Sequence, residues 1–234
     1  MTALSIDIVS DVVCPWCYIG KRRLERALAD HDGDVEVVWR SFQLDPSAPA
    51  LPVESVAEHL GRKYGGGVEA GLAMIDRVDA VAAEEGLVYR QREAQRANTV
   101  DAHRLLHLAA ETGHQGALKE ALLAAYFTEA RNIADHATLR ELATAVGMPE
   151  GDVDGVLATD RFRDDVEADV RQAAAYGATG VPFFVVDGRY GISGAQPVEV
   201  FRQVLERAAA DRRVEMVQAA DGDGEVCGPD GCAV

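Results

Sequence analysis

The residues with the clearest chemical potential are four cysteines in two pairs: Cys14 and Cys17, enclosing Pro15 and Trp16, and Cys227 and Cys232, enclosing Gly-Pro-Asp-Gly. A sulfur attacks a disulfide only as the thiolate, and an ordinary cysteine is mostly protonated at neutral pH. A cysteine at a helix N-terminus is better placed, because the unpaired N–H groups of the first turn and the positive end of the helix dipole favour the anion. At such a tip, Cys14 reads as an exposed nucleophile and Cys17, one turn further in, as the cysteine that resolves the mixed disulfide. Pro15 gives up only an N–H that the helix would leave orphaned, and Trp16 offers an apolar body for a substrate to pack on. The same spacing also builds zinc knuckles, so a zinc-binding or redox-sensing protein without turnover is the rival reading.

In the second pair, Gly228 and Pro229-Asp230-Gly231 form a turn signal that can bring Cys227 and Cys232 within the roughly 4.4–6.8 Å between Cα atoms that a disulfide requires. Three readings stand: a second redox pair carrying electrons to or from Cys14 and Cys17, an incidental disulfide, or half of a four-cysteine zinc site. Gly180-Val181-Pro182 puts a proline at the start of a strand directly after a helix, which as a local signal is a stop. Asp11, three residues before Cys14, could tune the proton affinity of that cysteine, although shaping the strand-to-helix turn is the simpler role. His103 and His107 lie four apart on a helix, a spacing that can grip a metal. No third ligand stands in register, so packing or surface roles are expected and no metal site is assigned.

The elements that must position these residues are legible as patterns. Residues 4–9 alternate apolar and polar side chains like a strand, and 15 to about 29 carry Trp16, Ile19, Leu24, Ala27 and Leu28 at helical spacing. Residues 35–44 are rich in β-branched and aromatic residues, with Trp39 and Phe42 as expected strand core. Cys14 therefore stands where a helix begins, in a β-α-β opening. From 52 to about 176 the pattern is helical, with caps or breaks at Gly65-Gly66-Gly67, Gly86, Asn98-Thr99, Gly113, Asp135 and Gly147, and it closes on a long helix at about 161–176. Residues 181–187 then read as a continuously apolar strand, 190–193 as a strand pairing back, and 197–210 as an amphipathic helix. The halves 1–48 and 177–212 are expected to form one α/β domain, interrupted by a helical insertion domain at 49–176. Residues 213–234 have the composition of a flexible tail: from Ala220 onward there are five Gly or Pro, four acidic residues and no Lys or Arg.

With 234 residues, 48% hydrophobic and 26% charged, the chain can bury a full core. A net charge of −16 argues against nucleic acid as a partner, since few cations are available to replace the counterions of a phosphate backbone. No stretch approaches the ~18 apolar residues of a membrane span, and the opening MTALSIDIVSD lacks the basic and apolar regions of a secretory signal. A cytoplasmic location is expected, where cysteines are redox-active or metal-binding more often than structural. The sequence sets no oligomeric state.

With DVVCPWCYIGKRRL at the start, NTVDAHRLLHLA in the helical region and GATGVPFFVVDGRYGISGAQ near the end, the chain resembles the DsbA-like oxidoreductases, and within them the FrnE-like branch of cytoplasmic bacterial proteins. The resemblance covers residues 3 to about 212. It implies a thioredoxin fold with a large helical insertion, and dithiol–disulfide exchange with protein or small-molecule thiols and disulfides. No cofactor is implied beyond the redox-active disulfide, with glutathione a candidate co-substrate. By motif, the resemblance makes Cys14 the nucleophile, Cys17 the resolving cysteine and Val181-Pro182 a cis-proline loop whose backbone can pair with an extended substrate. Asn98, Thr99 and His103 belong to a segment expected to line the active site. The 2-hydroxychromene-2-carboxylate isomerases and kappa-class glutathione transferases share this architecture, but typically place serine where Cys14 stands and bind glutathione without cycling a CxxC. A glutathione-dependent isomerase or transferase is thus the alternative. Periplasmic DsbA has Pro-His between its cysteines; the indole of Trp16 has no positive charge to offer a thiolate, so strongly oxidising behaviour is not implied.

Overall fold

The computed structural model describes residues 3–51 and 53–212, together with the backbone of two short strands at 227–228 and 231–232. The chain opens with strand β1 (Leu4–Ser10), helix α1 (Pro15–Leu28) and strand β2 (Val35–Ser41). Leu4, Ile6 and Ile8 are buried while Ser5 and Asp7 between them are half-buried, so the alternation makes a strand with one face in the core. β2 stops short of the expected Leu44. The paired strands end together at Ser10 and Ser41, and from there side-chain carboxylates take the backbone donors. Asp169 Oδ2 accepts the Ser41 N–H at 2.7 Å and Asp11 Oδ2 accepts the Leu44 N–H at 2.8 Å. Phe42 accordingly lies beyond the strand and is only half-buried, whereas Trp39 is buried.

Helices α2 (Val56–Tyr64), α3 (Gly67–Glu84), α4 (Val100–Glu111), α5 (Gln115–Phe127), α6 (His136–Ala145), α7 (Glu150–Leu157) and α8 (Arg163–Ala175) follow. Side chains cap the starts of two of them. Ser55 and Glu58 close a capping box on α2, and Asp135 accepts the Thr138 N–H at 2.9 Å to begin α6. α2 and α3 pack backbone to backbone, since a Cβ on Gly71 would lie 2.1 Å from the Ala57 carbonyl oxygen. The chain then returns through β3 (Phe183–Val186), β4 (Tyr190–Ser193) and α9 (Val198–Asp211).

The four strands make one mixed sheet in the order β2-β1-β3-β4, with β1 parallel to β2 and antiparallel to β3, and β3 antiparallel to β4. Ile6, Ile8, Phe184 and Val186 share an apolar cluster with α1 and α9, in which Phe184 and Phe201 meet edge to face at 4.8 Å. A second cluster runs through the helices between β2 and β3 and reaches α1 at Tyr18 and Ile19. Strands β5 (Cys227–Gly228) and β6 (Gly231–Cys232) pair antiparallel with Cys227 opposite Cys232. The side chains of those cysteines, and the remainder of the expected tail at 213–234, lie outside the described residues. No helix among the described residues is long and apolar enough to cross a membrane.

Candidate active site

The turn that carries the chain from β1 into α1 is fixed by one carboxylate. Asp11 Oδ1 accepts the Val12 N–H at 2.7 Å and lies 3.1 Å from His103 Nε2, while Oδ2 takes the Leu44 N–H. A carboxylate can only accept, so the ring proton of His103 is on Nε2. Burial lowers the His103 pKa and keeps the ring neutral, leaving Nδ1 without a partner among the described residues. Asp11 thus shapes the turn, as expected, and also ties it to α4. His107 turns elsewhere, with Nε2 at 3.1 Å from Ser41 Oγ and 3.2 Å from Asp169 Oδ2. Asn98 joins the loop after β2 to the start of α4, donating to Ala48 O at 2.8 Å and accepting from the Val100 N–H at 2.9 Å. Among the described residues, no group of three or more His, Cys, Asp or Glu is arranged to hold a metal.

Cys14 occupies the N-cap of α1 with extended backbone (φ −92°, ψ 114°), and Pro15 is the first helical residue. The hydroxyl of Tyr89 donates to Pro15 O at 2.9 Å, and its ring stacks on Tyr18 and Phe127 at 6.1 and 4.7 Å between centroids. The first turn of α1 is thereby gripped by the helical part of the molecule. On its other side α1 comes close to the loop before β3, because Gly20 has no side chain: a Cβ there would sit 3.1 Å from both Pro182 Cγ and Phe184 Cζ. The Val181–Pro182 peptide bond is cis, and the Cys14 thiol donates to Val181 O across 3.4 Å.

Cys14 and Cys17 are both free thiols, only 3% and 1% exposed. The expected exposed Cys14 is therefore corrected: its thiol is turned onto Val181 O, beneath the loop that holds Pro182. A cavity of about 420 Å³ has Cys14, Trp16 and Val181 in its wall, and Cys17 is not among the residues that line it. Val56 and Leu60 of α2 and Val78 of α3 also line it.

Nor is Cys14 the more readily ionised sulfur in this arrangement. Its pKa is raised well above the ordinary thiol value, first by its hydrogen bond to Cys17 and then by burial. Burial opposes ionisation of Cys17 as well. The hydrogen bond from Cys14, the charge of Lys119, and hydrogen bonds from Ser10 and the Asp11 backbone outweigh it, so Cys17 is lowered. The helix dipole favours a Cys14 anion, but the second sulfur and burial outweigh it.

A sequence profile described as the DSBA-like thioredoxin domain matches residues 5–206. The chain belongs to the DsbA-like family. A probable DsbA oxidoreductase from Streptomyces coelicolor is 47% identical, with a TM-score of 0.85 over 99% of both chains. The uncharacterized protein YwbO of Bacillus subtilis (strain 168) is 27% identical over 202 residues, 86% of this chain and 94% of its own length. A 2-hydroxychromene-2-carboxylate isomerase superposes with a TM-score of 0.66 at 14% identity, covering 90% of this chain and 100% of that one, a likeness of fold alone.

The mixed sheet with its largely helical insertion is thus a DsbA-like thioredoxin fold, as the sequence resemblance implied. In this DsbA-like chain the structure brings Asp11, Cys14, Cys17, His103, Val181 and Pro182 to one place, with Pro15 and Trp16 in the first turn. Sequence reasoning missed Ser10, Gly20, Tyr89 and Lys119. Only Lys119 left a signal, as a charge inside the apolar run Ala117 to Phe127. Its side chain is fully buried, and burial lowers its pKa from 10.5 to about 8.

Proposed function

We propose that this DsbA-like protein catalyses thiol–disulfide exchange on extended, apolar polypeptide segments that carry a disulfide, with Cys14 as the attacking sulfur and Cys17 as the resolving one. The observation that carries this reading is the unequal access of two neighbouring thiols: Cys14 is among the residues that line the cavity and Cys17 is not.

In the reducing direction, Cys14 passes its proton to the Cys17 sulfur and attacks one sulfur of the substrate disulfide, and the other sulfur leaves as a thiolate that takes the proton back from Cys17, leaving Cys17 as the anion. Cys17 then attacks Cys14 Sγ, which releases the second substrate sulfur and leaves a Cys14–Cys17 disulfide. Two electrons pass from the pair to the substrate, and the reverse sequence oxidises a dithiol. Val181 O, which accepts the Cys14 thiol in the reduced site, stands where the backbone of an extended substrate would run. A polypeptide substrate is favoured by the rim. Trp16, Leu44 and Tyr64 line the cavity yet remain 39%, 41% and 62% exposed, an apolar border suited to being covered by a partner.

The reduced pair is restored, in this reading, by an external thiol such as glutathione or by Cys227 and Cys232 acting as a relay. Their opposed backbones on β5 and β6 are the support for a second redox pair. Insulin-disulfide reduction tests the main reading: Cys14→Ser and Cys17→Ser should each abolish turnover, whereas an isomerase-type activity needs one sulfur and would survive Cys17→Ser. A Cys227→Ser/Cys232→Ser variant that turns over like wild type with every reductant removes the relay.

A further inference from the structure

Lys119 is a fully buried cation that the exchange steps above leave without a task. Its placement is determined from α5 upward. Gln115, one turn earlier on the same helix face, clamps the edge strand β2 from both sides of one residue: its Oε1 accepts the Trp39 N–H at 2.9 Å and its Nε2 donates to Trp39 O at 2.9 Å. That clamp lays the next turn of α5 over β2, and Lys119 Nζ stands 5.2 Å from the centre of the Trp39 ring. The ammonium has no hydrogen-bond acceptor among the described residues, although its residue is 0% exposed. The hydrogen bonds that dock α5 on β2 come from Gln115. An apolar chain of the same length would fill the space without the penalty of burying a charge.

α5 also meets the turn of α1 that holds Cys17: Leu118 and Leu122 share one apolar cluster with Tyr18 and Ile19, and the Tyr18 hydroxyl donates to Glu120. The ionisable groups around Lys119 are Cys17, Asp11, Cys14 and Lys21. Lys21 is turned onto Glu25 and Glu120, and Asp11 has both carboxylate oxygens engaged by the Val12 and Leu44 N–H groups and by His103. On the α4 side, His103 faces Asp11, Lys119 and His107, and its ring is neutral. The sulfur pair is thus the group toward which this cation is left uncommitted.

We propose that Lys119 is a positioning residue for the exchange step: its ammonium is the counter-charge that holds the Cys17 sulfur as an anion for attack on a mixed disulfide at Cys14. The inference rests on the exchange reading above. In the step itself, the Cys17 thiolate forms a bond to Cys14 Sγ, the bond between Cys14 and the substrate sulfur breaks, and the departing substrate thiolate takes its proton from water. The substrate disulfide is the oxidant of the pair. Once the Cys14–Cys17 disulfide has formed, the anion is gone, and Lys119 loses the partner that kept it charged.

The test isolates Cys17 by replacing Cys14, Cys227 and Cys232 with serine in the full chain and follows its ultraviolet thiolate absorbance against pH, with and without Lys119→Met. We expect the thiolate fraction at neutral pH to fall about tenfold in the Lys119→Met form, one pKa unit upward. An unmoved or downward-shifted titration overturns the proposal. A second readout needs no substitution at Lys119: its side-chain NMR titration in the wild-type protein should occur at higher pH in the reduced than in the oxidised state, and identical titrations overturn the proposal equally. Neither readout needs turnover. Failure of the exchange reading would appear separately, as insulin reduction that survives Cys17→Ser.

Discussion

Asp11 Oδ1 lies 3.1 Å from His103 Nε2, and this contact joins the turn that delivers Cys14 to the helical insertion. The same carboxylate holds two backbone N–H groups, on Val12 and Leu44, so one side chain fixes the end of β1, the end of β2 and α4 together.

Asp11→Asn should therefore loosen the site as well as the fold. The amide has one oxygen where the carboxylate had two, so at least one buried donor loses its acceptor, at about 1–3 kcal/mol. Urea unfolding should show that loss, and exchange turnover should fall by more than the folded fraction does. Wild-type turnover at full stability loss would assign Asp11 to folding alone.

Gly20→Ala sets two effects against each other. In an exposed helix interior the substitution gains about 0.5–1 kcal/mol. Here the new methyl meets Pro182 and Phe184 at 3.1 Å, tighter than a relaxed contact, and overpacking of this kind costs about 1–3 kcal/mol. A lower Tm and slower exchange are predicted. A higher Tm would mean that the loop at Pro182 yields without loss.

These cases show what the sequence could and could not carry. The strand alternation of β1, the helix start at Pro15 and the helix caps are local signals, and they placed Cys14 and Cys17 correctly in the fold. Val181, 167 positions from Cys14, came within reach only through the family resemblance, and no local pattern told that its carbonyl covers the sulfur. Lys119 left a signal, a charge in an apolar run, but not the direction in which it points. α5 is buried on most sides, so periodicity could not separate inward-facing Lys119 from neighbouring Glu120, which turns out to Lys21, Arg22 and Tyr18.

Glu120 carries a prediction about acid. Burial would raise its pKa, but hydrogen bonds from Arg22, Lys21 and Tyr18 bring it from 4.5 down to about 2. The stabilisation it provides is therefore complete above pH 4.5 and is lost as the pH falls toward 2. Glu120→Gln should flatten that part of the stability profile measured by chemical unfolding between these pH values. An unchanged slope would show that the cluster linking α1 to α5 contributes nothing.

Lys119→Met should separate stability from activity. The folded pKa of Lys119 lies below its ordinary value, so the penalty of burying the charge is greatest below pH 8 and fades as the pH rises toward 10.5. Removing the charge should raise neutral-pH stability by about 3 kcal/mol on the pKa shift alone. The same variant should resolve mixed disulfides more slowly. Loss of stability at neutral pH would contradict the first part, and unchanged resolution the second.

The most direct test of the exchange account uses Cys17→Ser protein, also carrying Cys227→Ser and Cys232→Ser, incubated with a small disulfide and examined by intact-mass and peptide mass spectrometry. The account predicts one stable adduct, on Cys14, that the same protein with Cys17 restored releases as its own disulfide forms. No adduct on Cys14, or an adduct that persists when Cys17 is present, would contradict it.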